Sequence, residues 1–249
     1  MKILDAHMHL GEDCVFDEVQ TEQDILETTE KYGVAGGIIQ PFIPRMYVRD
    51  TMEIHDRIWA MCRAHPGRFH GMMSMNPHFS PEDYEAEADR CMRKLGFVGI
   101  KITPIAHAAH PGKKDCLFAC EMARKHNVPV MIHTGAGVPF ADPMQMVKAV
   151  EGFPDVRFVI AHGGTDNMCS SAIYLASKYD NVFVEPSWLA IHNLEGMYHR
   201  LGASKMMFSS DMCVNLPVEL CKYNLVFQKE EDREQVFHRT LETVFAIGG

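Results

Sequence analysis

The chain has no apolar run of the ~18 residues that a membrane-spanning helix needs, so no span is expected. It has no apolar leader either. Met1-Lys2-Ile3-Leu4-Asp5 runs straight into charge and histidine, which predicts a cytoplasmic protein. The eight cysteines, at 14, 62, 91, 116, 120, 169, 213 and 221, form no C-x-x-C pair and no regular framework. They are expected as buried, reduced thiols. Positive charge is scarce: 24 Lys and Arg against 33 Asp and Glu give a net charge of −9, and the densest basic cluster is the pair Lys113–Lys114. Nucleic acid is thereby excluded as the main partner, because phosphate binding needs clustered Lys and Arg. No P-loop occurs.

Apolar residues make up 47% of the 249 positions and charged residues 23%, a globular balance that excludes disorder, collagen and coiled coil. No linker interrupts the chain, and one domain over 1–249 is expected. Fourteen histidines are the informative surplus.

Eight short apolar runs recur: Ile3–Leu10, Ala35–Pro41, Phe69–Asn76, Gly96–Thr103, Val128–Thr134, Val156–Gly163, Val182–Ser187 and Lys205–Asp211. A helix-like stretch follows each. Residues near their C-terminal ends are spaced 23 to 35 apart. That is the length of a βα unit, and eight of them are the signature of a (β/α)₈ TIM barrel. The runs are apolar without alternation, as in Val128-Pro129-Val130-Met131-Ile132, so a parallel sheet buried on both faces is predicted. Helix limits are marked at Gly33, at Ser80-Pro81, at Gly96 and at Asp142-Pro143. Two further helices are expected, near Leu216–Phe227 and Glu230–Ile247.

Four strand ends carry polar groups. His7 and His9 lie two apart on the first strand, so both point to one side. His133, His162 and Asp211 end the fifth, sixth and eighth runs. Barrel enzymes build their sites at that face. Imidazoles and a carboxylate gathered there are ligands for a divalent transition metal such as zinc. As plain core residues, five such groups would leave too many unpaired polar atoms.

In His7-Met8-His9, Gly99-Ile100-Lys101, Ile132-His133, Ala161-His162-Gly163-Gly164 and Ser209-Ser210-Asp211 the chain resembles the amidohydrolase superfamily. Within it the resemblance is to the branch of small metal-dependent hydrolases and aminocarboxymuconate-semialdehyde-type decarboxylases. It implies that His7, His9, His133 and Asp211 hold one metal ion, most often zinc. His162 is implied beside the metal, as an acid/base and electrophilic group or as a further ligand. Asp211 would take a proton from a water of lowered pKa and pass it to the leaving group. Lys101 would pair with a substrate carboxylate or with Asp211. Carbamylated, it would bridge a second metal; the bland alternative is a lysine snorkelling to solvent. Arg45 is a candidate clamp for a substrate anion. Trp188 and Glu185 are candidate pocket walls. His107 and His110 are read as lining the mouth or facing solvent.

The expected reaction is hydrolysis of a C–N or C–O bond in a small carbonyl compound, an amide or lactone. Non-oxidative decarboxylation is the alternative. The first histidine of H-x-H, which many decarboxylases of the branch replace by Glu, and the short chain lean toward hydrolysis. A non-catalytic barrel and a metal-independent lactonase are the remaining readings. The expected partner is a small molecule, not a membrane; barrels of the branch are commonly dimers or larger, which leaves a homo-oligomer open.

Overall fold

The structure is a computed structural model that describes residues 1–13, 17–42, 47–135 and 139–248. Along the chain come β1 (Leu4–Asp13), β2 (Glu18–Gln20), α1 (Glu22–Lys31), β3 (Gly36–Pro41), α2 (Val48–Ala64), β4 (Phe69–Gly71), β5 (Met73–Ser74) and α3 (Pro81–Arg90). Then follow β6 (Ile100–Ile102), α4 (Pro104–His107), α5 (Lys114–His126), β7 (Val130–His133), α6 (Val147–Gly152), β8 (Phe158–Ala161), α7 (Thr165–Lys178) and β9 (Val182–Glu185). Four helices complete the chain: α8 (Ile191–Leu201), α9 (Leu216–Val226), α10 (Glu230–Glu234) and α11 (Thr240–Phe245).

The strands form a closed parallel ring. β1, β3 and β4 pair in that order, and β5 to β9 pair in theirs. β4 and β5 are two halves of the expected third strand: Met72 N–H reaches Ile39 O on one side, and Met73 N–H reaches Gly99 O on the other. The last stave is the stretch 206–211, held to β9 by Met207 N–H to Val184 O (3.0 Å) and to β1 by Ala6 N–H to Phe208 O (2.9 Å) and Asp211 N–H to His7 O (2.8 Å). The result is the (β/α)₈ barrel that the spacing predicts, with its eighth strand reduced to isolated bridges. β2, which pairs antiparallel with β1, has no counterpart in the apolar pattern.

Local signals explain the helix limits. Thr21 and Asp24 form a capping box at α1, and Gly33 follows at φ +69°. Ser80 caps α3 ahead of Pro81; a π-turn over Cys91–Leu95 extends it, and Gly96 closes it at φ +70°. Asp142 caps the turn that leads into α6. The closing helix expected over Glu230–Ile247 runs without a gap from Glu230 to Phe245, with a π-turn at Gln235–Arg239 joining α10 to α11.

The barrel interior is layered. Leu4, Ala6, Ile38, Met72, Met131, Val159, Ala161 and Met207 form an apolar floor, plugged by Leu241, Val244 and Phe245 of α11. Above it the inward side chains turn polar: His7, His9, Gln40, Lys101 and Glu185 are all buried. A one-residue bulge in β1 makes the change. Asp5 to Met8 spans three steps while its partner β3 moves only from Gly37 to Ile39, which brings His7 and His9 inward above Ala6. Gly37 permits it, since a Cβ there would lie 2.0 Å from the Asp5 carbonyl oxygen.

Candidate metal and catalytic site

Asp5 pins the bulge. Its Oδ1 accepts His7 N–H (2.9 Å) and Ser210 N–H (3.0 Å), and its Oδ2 accepts the Ser210 hydroxyl. Strand 1 is thereby locked to the stretch that carries Asp211. Burial pushes the Asp5 carboxyl up to about 7.

His7 Nε2 and His9 Nε2 stand 2.9 Å apart, and Asp211 Oδ1 lies 3.2 Å and 3.0 Å from them. The outer ring nitrogens are already committed. His9 Nδ1–H donates to Pro41 O at 2.8 Å, a partner that can only accept. His7 Nδ1–H donates to Glu185 Oε1 at 2.6 Å. With both protons on Nδ1, the two neutral rings turn lone pairs toward each other and toward a carboxylate oxygen. Three electron-pair donors meeting at one point need a positive charge between them. The donor set, with its outer nitrogens anchored on a carboxylate and a carbonyl, suits a divalent transition metal.

Glu185 is the hub behind the cluster. Besides His7, its Oε1 accepts His162 N–H (2.9 Å), and its Oε2 accepts Ser187 N–H (3.1 Å) and the Ser209 hydroxyl. The sequence reading made Glu185 a pocket wall; the structure buries it completely, under the site. A carboxylate on the strand next to the histidine strands was its only signal.

His162 and His133 form a second pair beside the first. His162 Nε2 is 3.1 Å from His133 Nδ1, and His162 Nδ1 is 2.8 Å from Ser187 Oγ. His133 Nε2 is buried with no partner among the described residues. His133 thus sits against His162 rather than in the tight His7–His9–Asp211 group. Burial, opposed by Glu185 and Asp211, holds His162 down to about 4, so it is a neutral ring at pH 7. Burial and the nearby Lys101 ammonium likewise keep His7 well below the ordinary histidine value.

Lys101 does not snorkel. It is 1% exposed, with Nζ 3.0 Å from His7 Nε2 and 3.7 Å from Met131 Sδ. Burial lowers its ammonium to about 8. Trp188 is half exposed at the rim, and its indole N–H donates to Asp211 Oδ2 at 2.7 Å. His162, Trp188 and Asp211 all have left-handed backbones, at φ +62°, +69° and +68°. Strain of that kind in bulky residues gathers at functional sites. Together with Phe42 and Thr103, these groups line a cleft of about 210 Å³.

Other sequence candidates fall elsewhere. Arg45 lies outside the described residues. His107 is buried and accepts Thr103 N–H on Nδ1, while the half-buried His110 bonds Gln145 and Gly112 N–H, and neither lines the cleft. A separate buried cluster of His55, Glu87 and Cys91 has its imidazole spent at both ends. Ser74 N–H donates to Nε2, and Nδ1–H donates to Glu87 Oε1. That cluster ties α2 and α3 to β5.

Residues 4–246 match the family model for amidohydrolases. The chain belongs to the amidohydrolase family. An enzyme of that family is what its barrel and strand-end cluster describe. The proteins that it resembles differ in reaction. A 2-keto-4-carboxy-3-hexenedioate hydratase from Sphingobium sp. is 31% identical over 114 residues, 37% of this chain and 33% of that protein, so the match spans only a third of the relative. Among solved structures, a 2,6-dihydroxybenzoate decarboxylase from Rhizobium superposes with a TM-score of 0.80 at 15% identity, over 99% of both chains. A dihydroxybenzoic acid decarboxylase from Polaromonas sp. JS666, with bound manganese and 2-nitroresorcinol, gives 0.78 at 14% identity, over 98% of this chain and 97% of that one. At these identities the likeness is one of fold.

Proposed function

We propose that this amidohydrolase is a metal-dependent hydrolase that opens a C–N or C–O bond of a small carbonyl compound, an amide or lactone. The observation that carries the reading is the meeting of His7 Nε2, His9 Nε2 and Asp211 Oδ1 at the inner end of the cleft. These residues would hold the ion, with His133 completing the set from its unpartnered Nε2. Zinc suits two or three imidazoles and a carboxylate; manganese is the ion of the Polaromonas decarboxylase. Bound, a divalent cation supplies Lewis acidity toward a carbonyl and lowers the pKa of a water beside it.

The chain's own groups do the rest. His162, neutral at pH 7, exchanges its Nε2 contact with His133 Nδ1 for the carbonyl under attack and, as the Nε2–H tautomer with Nδ1 accepting from the Ser187 hydroxyl, donates to it. Asp211 Oδ2 keeps a lone pair beyond its indole bond, accepts the proton of the attacking water and returns it to the leaving group. Lys101, the buried cation of the described cleft wall, receives a carboxylate on the substrate. The low exposure of His7, Lys101 and Glu185 keeps bulk water from the reacting groups.

A second reading, decarboxylation, is favoured by the Lys101 ammonium 3.0 Å from His7 Nε2, which would seat a carboxylate directly beside the ion. Elemental analysis of protein purified without chelator is expected to give about one divalent ion per chain. His9→Ala and Asp211→Asn should each lose that ion and turnover while keeping the far-ultraviolet spectrum. His162→Asn should keep the ion and lose about 10²- to 10⁴-fold in rate. With the ion present, acid release from lactones or amides supports hydrolysis. Carbon dioxide release from aromatic or oxo acids instead makes the enzyme a decarboxylase, and full activity of Asp211→Asn sinks both readings.

A further inference from the structure

We propose that Glu219, on α9, is a positioning residue for the Asp211 carboxylate and acts through Trp188. The proposal rests on the reading of Asp211 as a ligand. The ends of the last two staves are joined by a side chain: Trp188 follows β9, Asp211 ends the stretch 206–211, and the indole N–H crosses between them to Asp211 Oδ2 at 2.7 Å. For that bond to form, Trp188 must hold a left-handed backbone at φ +69°, a conformation that a bulky side chain does not choose alone.

Glu219 holds it there. It is fully buried, and its Oε1 accepts Trp188 N–H at 2.8 Å. The same oxygen accepts Asn215 Nδ2–H (3.0 Å) and Lys222 Nζ–H (2.7 Å). Both donors also bind the two strand ends: Asn215 Nδ2 donates to Ser210 O (2.9 Å), and Lys222 Nζ donates to Leu189 O (2.7 Å). One carboxylate oxygen therefore fastens the turn that carries Trp188 to the residue preceding Asp211.

The consequence is directional. With Oδ2 tied to the indole, the Asp211 carboxylate cannot turn about its Cβ–Cγ bond, and Oδ1 alone faces His7 and His9. The ligand is presented singly and in a fixed direction. Glu219 does not line the cleft, so its influence on the cation runs through this brace and not through substrate contact. Partners of metal ligands commonly set affinity by about 10- to 100-fold.

Two tryptophans, Trp59 and Trp188, give two indole N–H signals in a nitrogen-15 spectrum, and Trp59→Phe assigns them. In metal-free protein, Glu219→Ala is expected to move the Trp188 signal and speed its hydrogen exchange. Glu219→Gln, which keeps an acceptor oxygen, should leave both nearly unchanged. In chelator competition with zinc and with manganese, Trp188→Phe and Glu219→Ala should bind about 10- to 100-fold more weakly, and Glu219→Gln within about threefold of wild type. Glu219→Asp, which retracts the acceptor without removing its charge, gives the same readout where the alanine variant does not fold. An unmoved indole signal in Glu219→Ala or Glu219→Asp, or wild-type cation affinity in Trp188→Phe, overturns the proposal. A wild-type chain that binds neither ion fails the ligand reading of Asp211 instead, and the metal-free indole signal then still decides the brace.

Discussion

Single side chains at this site matter through the nitrogen or oxygen they leave free. The two-residue spacing made His7 and His9 readable as a converging pair, and their Nε2 atoms stand 2.9 Å apart. Spacing said nothing of which ring nitrogen faces inward; Pro41 O and Glu185 decide that. Glu185→Gln replaces a full acceptor for His7 Nδ1–H by an amide that also accepts His162 and Ser187 N–H less well. It should weaken cation affinity by about 10- to 100-fold in chelator competition. Unchanged affinity would remove Glu185 from its supporting role. His107 supplies a pH test away from the cluster. Burial holds it down to about 3, against 6.5 when exposed in the unfolded chain. Between those values the unfolded chain binds the extra proton. Stability from this residue is complete above the unfolded value and falls as pH drops toward the folded one, by at most about 1.4 kcal/mol per pH unit. His107→Gln keeps an acceptor for Thr103 N–H and should flatten urea-unfolding stability between about pH 6 and 4. A slope equal to that of wild type would count against it.

At the level of elements, the bulge in β1 determines whether H-x-H serves the site or the outer wall. A regular strand carrying Ala6 inward would point His7 outward. The inserted step reverses the phase, and Asp5 secures it from both sides. Asp5→Ala should orphan the His7 and Ser210 N–H groups and cost about 2–4 kcal/mol in urea unfolding, with loss of cation binding. A variant that loses stability but binds the ion normally would show that His7 keeps its orientation without Asp5. The same element scale explains what the apolar pattern missed. β4 and β5 serve different neighbours, so one expected strand divides, and the 206–211 stretch makes only bridges because its carbonyl and N–H groups are shared between β1, β9 and the π-turn before α11. The Gln235–Arg239 turn leaves no mark in a helical hydrophobic pattern, since it adds one residue to a turn without breaking the apolar face.

Across the whole molecule, floor and rim have separate tasks. The floor is apolar and closed by α11, and the rim carries the donors. Leu241→Ala should therefore cost about 2–5 kcal/mol by leaving a cavity in the plug, while cation affinity stays at the wild-type level. A fall in affinity equal to the fall in stability would mean that floor and rim are not separable. The polar layer itself is stabilised by what it binds: a cation held only by the folded chain adds about 2.7 kcal/mol at a hundred times its dissociation constant.

The order of apolar runs, their spacing and the polar residue at each strand end are local properties, and they carried the eight-fold barrel, the face of the site and the histidines and aspartate that gather there. The roles of Glu185 and Trp188, the inward-facing Lys101 and the pairing of His133 with His162 were decided only by folding. Each depends on atoms from strands far apart in the chain meeting across the interior, where burial turns a missing partner into a large cost and so selects one arrangement of protons and lone pairs.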